Sequence, residues 1–143
     1  MTMMIHKRRR GTAIVETEKG ILLTAGRGRL FITPGGGAGI KESRMQAAIR
    51  ELKEETGLEP YFAMALFRYY GRIHGKFQDE HTVYYIKAKG SAMPRKEVKY
   101  LAYYKPHSDI NVSEITKDII SEFHIYKAKN EQLFEILNTL WSI

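Results

Sequence analysis

Four glutamates stand at spacings suited to holding a hard cation: Glu42, and then Glu51, Glu54 and Glu55 within the run RELKEE. On a helix, residues three and four apart are neighbours, so Glu51, Glu54 and Glu55 project from a single face. Like charges that close repel one another, and a divalent ion is the most economical reason to assemble them. Mg²⁺ or Mn²⁺ takes oxygen ligands and is commonly held by one or two carboxylates together with substrate phosphates. Taken alone, the three acids fit a solvated helix face equally well.

The neighbouring elements must position these acids. Leu30 to Thr33 reads as a short strand that delivers the chain into Pro34-Gly-Gly-Gly-Ala-Gly39, where the glycines let backbone approach a ligand or turn sharply. A helix should begin near Ser43 and stop at Gly57, a good residue for a left-handed end. Met45, Ala48, Ile49, Leu52 and Thr56 recur at steps of three and four and form its buried stripe. The acidic face is offset from that stripe, so the helix could pack on a core and present carboxylates at once.

Read in order, the stretch has Gly36, five residues, Glu42, seven residues, Arg50-Glu51-Leu52, one residue, Glu54-Glu55, one residue, then Gly57-Leu58. This resembles the signature of the Nudix hydrolases at every fixed position, although the family's common Gly-Glu pair is here Lys41-Glu42. The resemblance implies an α+β fold, a Nudix α/β/α sandwich with a mixed central sheet. It implies hydrolysis of a diphosphate linkage in a nucleoside diphosphate derivative, with Mg²⁺ (or Mn²⁺) as cofactor. It makes Glu51, Glu54 and Glu55 metal ligands, Glu42 a brace or further ligand, and Glu51 the first choice for general base. Arg50 reads from its position as either a structural ion pair or a phosphate ligand; the resemblance favours a residue that orients the glutamates. The family also recruits carboxylates outside the motif, for which Asp79, Glu80 and Glu97 are candidates, at least two of them being expected to be solvated acids beside turns. Gly35 and Gly36 are implied as substrate contacts, and so is Arg9 or Arg10, on phosphate or base, since the first strands of such a fold line the nucleotide site.

Composition bounds the rest. At 143 residues the chain is expected to be one domain, residues 1–143, and it contains no cysteine for a disulfide, thiolate site or nucleophile. No apolar run approaches the ~20 residues of a membrane span, and MTMMIHKRRR lacks the apolar segment of a signal peptide, so a cytoplasmic enzyme is the expectation. A formal charge of +7 suits an anionic ligand or plain solubility.

Along the chain, His6 to Arg10 is a basic cluster, read as a solvated tail unless it enters a site, before an apolar strand at 11–16. Ile21 to Thr24 returns as a hairpin. Arg27 and Arg29 lie on a glycine-rich loop, either as guanidinium forks for phosphate or as exposed charges. Strands are expected at 61–73, 82–89 and 97–105. Their many tyrosines are expected to pack, with one or two free to stack a base. Helices should follow at 114–123, capped by Ser113, and at 131–141, capped by Asn130, the second apolar enough to close the core or meet a second copy in a homodimer. The Nudix family's downstream markers for ADP-ribose and dinucleoside polyphosphate enzymes, a proline and a tyrosine, are absent from Ile73-His74-Gly75-Lys76. The favoured substrate is therefore a (d)NTP, as in the MutT type. The alternatives are ADP-ribose or a nucleotide sugar, a dinucleoside polyphosphate, an RNA 5′ end, or nucleotide binding without catalysis.

Overall fold

The computed structural model describes residues 4–140. Strands β1 (His6–Ile14), β2 (Glu16–Thr17), β3 (Gly20–Ala25) and β4 (Gly35–Gly37) precede helix α1 (Arg44–Thr56). Strands β5 (Glu59–His74), β6 (Phe77–Lys89) and β7 (Tyr100–Tyr104) follow, and helices α2 (Glu114–Lys129) and α3 (Glu131–Leu140) end the fold. Two sheets form the middle layer. One is mixed, in the order β4-β1-β6-β5, with β1 parallel to β6 and its other pairs antiparallel; the other is antiparallel, in the order β2-β3-β7.

The period of two in a strand divides the core between the two faces of the sheets. Ala13 and Val15, Leu22, Tyr84 and Ile86 turn to one side and pack with Ala48 and Leu52 of α1. Ile14, Ile21, Leu23, Val83 and Tyr85 turn to the other and pack with Ile119, Ile120 and Phe123 of α2 and Phe134 and Leu137 of α3. The expected α/β/α sandwich results.

Helix α1 carries the predicted punctuation. Ser43 caps it, its hydroxyl accepting from Gln46 N at 3.0 Å while the Gln46 side chain accepts from Ser43 N at 2.8 Å. Gly57 ends it at φ 75°, its N–H donating to Lys53 O. The stripe of Met45, Ala48, Ile49, Leu52 and Thr56 faces the core, and Ala47 is buried with it.

Several sequence expectations need correction. Leu30 to Thr33 is not a strand; among the described residues its strand pairing is limited to single bridges, Thr24 to Ile32 and Phe31 to Val112. The basic run His6–Arg10 is not a tail but the first half of β1, paired along its length with β6. The strand expected at 97–105 begins at Tyr100, after a turn. Helix α2 runs past Phe123 to Lys129, and Asn130 closes it, its side-chain amide donating to Tyr126 O at 2.8 Å rather than capping α3. Trp141, expected in the last helix, lies outside the described residues.

One contact fixes how close α1 sits to the sheet. A Cβ built on Gly11 would collide with Arg44 O and lie 2.6 Å from Ala48 N, so β1 and α1 touch backbone to backbone there. Gly11→Ala is expected to lower stability by about 2 kcal/mol, the usual cost of overpacking. A clear drop in the urea midpoint at unchanged m-value checks this; an unmoved midpoint contradicts the close packing.

Candidate functional site

The glutamates cluster where the second half of α1 meets the glycine loop. Arg50 is the hub. Its Nε donates to Glu42 Oε2 at 2.7 Å and its Nη2 to Glu42 Oε1 at 3.0 Å, a bidentate pair. Its Nη1 donates to Glu51 Oε1 at 2.7 Å and to Glu54 Oε2 at 3.2 Å. Its Nη2 also reaches Gly37 O at 3.2 Å, tying the helix to the loop. The Arg50 bond, with a second from Gly39 N–H, holds the Glu42 carboxyl down at about 2. In return the carboxylates push the Arg50 guanidinium further above its ordinary range. Arg50 thus stands between the acids as a structural ion pair, the reading its position allowed and the resemblance favoured.

The three motif glutamates do not share one environment, contrary to the single-face expectation. Glu55 is buried, and one of its oxygens accepts from Gly35 N at 3.0 Å. Burial is the chief reason its carboxyl is pushed up to about 7, with repulsion from Glu51 and Glu97 adding to it. Glu51 and Glu55 line a cavity of about 420 Å³ together with Arg10, Gly35, Gly36 and Glu97. Glu54 opens instead to the groove shared by Glu42 and Arg50, where Lys96 Nζ approaches it at 3.6 Å. The 100° step of the helix accounts for the division: Glu55 lies one residue round from Glu54, toward the sheet.

The glycine loop is shaped around Glu51. A Cβ on Gly36 would lie 2.6 Å from Glu51 Cδ and 2.8 Å from its Oε1, so this position admits the carboxylate only as glycine. Gly35 has φ 151° and its Cβ would collide with Gly11 O, which holds the loop against β1.

Of the other candidate residues, Arg10 enters the cavity. Arg27 and Arg29 line neither the cavity nor the groove; Arg29 lies over the Tyr100 ring at 4.7 Å with φ 58°. Arg9 donates to Gly39 O and Glu42 O and so braces the motif loop, a role its sequence position did not suggest. Asp79 pairs with Arg8 at 2.7 Å, and buried Glu80 pairs with Arg44, which leaves Glu97 as the carboxylate from outside the motif that faces Glu51 and Glu55.

Hard oxygen donors and a buried carboxyl short of positive charge suit a divalent cation held partly by substrate phosphate. Among the described residues no three acids or histidines converge into an all-protein cage. The set fits a cation completed by its substrate.

The NUDIX domain profile matches residues 6–118. The chain belongs to the Nudix family. It is a hydrolase of that family, a pyrophosphohydrolase acting on phosphoric anhydrides, and its family's enzymes generally work with a divalent metal. A protein described as a nudix hydrolase family member from Chromobacterium violaceum is 33% identical, with 94% of this chain and 90% of that chain covered and a TM-score of 0.79. The E. coli ORF135 protein is 21% identical, with coverage of 87% and 94% and a TM-score of 0.73. The MutT NUDIX hydrolase from Burkholderia pseudomallei is 19% identical, with coverage of 78% and 94% and a TM-score of 0.69. These last two show the fold. None of the curated proteins compared with the chain matches it. Among the described residues, no helix of this Nudix hydrolase is long and apolar enough to cross a membrane.

Without divalent cations, the raised Glu55 carboxyl works against stability at high pH. Its folded value, about 7, lies above the ordinary 4.5, so its contribution is intact below pH 4.5 and is lost as pH rises through 7. Glu55→Gln should therefore exceed the metal-free parent in stability by about 3 kcal/mol at pH 8, with the difference gone below pH 4.5. Urea unfolding in EDTA at the two pH values checks it.

Proposed function

We propose that this Nudix hydrolase is a Mg²⁺-dependent pyrophosphohydrolase of nucleoside triphosphates, of the MutT type, working as one domain over residues 1–143. The observation that carries the reading is the cavity in which Glu51, Glu55 and Glu97 face Arg10 across the backbone of Gly35 and Gly36. Acids alone would suit a cation; acids opposite a guanidinium suit a cation and a phosphate together.

The residues divide the work as follows. Glu51, Glu54 and Glu55 would hold Mg²⁺, with Glu42 bracing the loop through Arg50. Bound there, the ion would neutralise the diphosphate and lower the pKa of a water. Arg10 offers its fork to a phosphate oxygen, and Gly35 and Gly36 admit the phosphates close to the backbone. Water attacks one phosphorus in line, the anhydride P–O bond breaks, and the other phosphate-bearing fragment leaves. Glu51 takes the water's proton, with Glu97 as the rival base. Arg50 acts through the glutamates rather than on the substrate.

A second reading, hydrolysis at an RNA 5′ end, is favoured by the exposed edge where Lys7 lies over the Tyr70 ring and Arg8 over the Phe77 ring. That reading requires affinity to fall steeply with salt as counterions are released, whereas a free-nucleotide enzyme has a shallow slope.

Glu54→Gln should leave the fold intact and lower Mg²⁺-dependent release of pyrophosphate from nucleoside triphosphates by about a hundredfold or more, beyond the cost of losing an outer-shell partner. Turnover at the parent's rate in this variant would remove Glu54 from the metal site.

A further inference from the structure

Behind the catalytic cavity lies a second one of about 210 Å³, between the sheet and the start of α2, with Arg10, Ile32 and Gly35 as a common wall. His81 of β6 lines it and is 9% exposed. The imidazole lies edge-on to the Tyr69 ring and is hydrogen-bonded at one nitrogen: its Nδ1 lies 2.9 Å from Thr12 Oγ1, and its Nε2 is buried with no hydrogen-bond partner among the described residues. A buried polar atom without a partner is uncommon enough in a folded protein to require a reason.

Counting partners assigns the tautomer. If Nδ1 carried the proton, Thr12 Oγ1 would accept it, and both the Thr12 hydroxyl proton and the Nε2 lone pair would be left over. If Thr12 donates to Nδ1, the hydroxyl proton and the Nδ1 lone pair are both paired and Nε2–H alone remains. Burial, reinforced by the nearby Arg10 charge, pushes the ring down to about 4, which keeps it neutral near pH 7. The ring that lines the cavity with Ile115 and Ile119 thus carries one unspent, buried donor.

We propose that this cavity takes the nucleobase and that His81 is a specificity-determining residue, its Nε2–H donating to a ring carbonyl of the base. The inference rests on the nucleotide reading above and deepens it. Guanine, uracil, thymine and cytosine carry a ring carbonyl; adenine does not. With adenine bound, the donor would stay buried and unpaired, and a site built for a hydrogen bond rejects the analogue that lacks its partner.

Hydrolysis of GTP, UTP and ATP with Mg²⁺ tests this. The expected kcat/KM for ATP is at least tenfold below the other two. In His81→Phe that gap should close through a raised KM for GTP and UTP, with kcat little changed, and His81→Gln, which restores an N–H donor, should recover part of it. Equal use of ATP by the parent protein, or a preference that survives His81→Phe, overturns the proposal. A lack of turnover with all three nucleotides sinks the nucleotide reading separately. In that event, and if His81→Phe does not fold, the parent protein labelled with ¹⁵N-histidine still decides. GMP should shift the His81 Nε2 resonance and AMP should not, and an unmoved resonance with GMP overturns the assignment.

Discussion

Three carboxylates gathered around one guanidinium are the constraint on which this site depends. Glu42, Glu51 and Glu54 all accept from Arg50, which compensates charges that would otherwise repel one another across a single helical turn. Arg50 also binds Gly37 O, so the interaction that tolerates the acids fixes the glycine loop in place. Everything around it follows from bringing that loop and the helix together. Gly11 lets α1 press onto β1, and Gly36 leaves room for Glu51. Glu55 lies outside the network, buried, with Gly35 N–H bonded to it and the Arg10 charge nearby.

The sandwich serves this arrangement by dividing its core. The faces of β1 and β6 that pack on α1 hold the helix, and the opposite faces pack on α2 and α3. Arg10, Thr12 and His81 belong to that second face, beyond the edge of the hydrophobic cluster, and there the strands line cavities rather than core. The proposed diphosphate site on the α1 side and the proposed recognition cavity on the α2 side therefore meet at Arg10, which lines both.

Helix α1 was legible from the sequence because its information is local. Ser43 at one end, Gly57 at the other and apolar residues at helical steps between them are sufficient to define it. The Nudix motif was legible for the same reason, being a fixed spacing within one helix and one loop. What the sequence did not disclose depends on partners far along the chain. The reach of β1 back to His6 comes from parallel pairing with residues 77–85, about seventy positions away. Leu30 to Thr33 has strand-forming residues but finds only single bridges. Arg27 and Arg29 looked as apt for phosphate as Arg10 did, and of the three only Arg10 is among the residues that line the cavity. Glu97 could not be separated from Asp79 and Glu80 until Arg8 and Arg44 were seen to claim the latter two. His81 carried no local signal, because its significance lies in what Thr12 leaves unsatisfied.

The central claim is that the ends of Glu51, Glu54 and Glu55 form the cation site beside Gly35 and Gly36. Mn²⁺ titrated into ¹⁵N-labelled protein tests it most directly, since the ion broadens the amide signals nearest to it. The account predicts that the amides of Gly35, Gly36 and Glu55 disappear at the first small additions, while those of α3 persist. Broadening centred elsewhere, or spread evenly over the acidic surface, would contradict it.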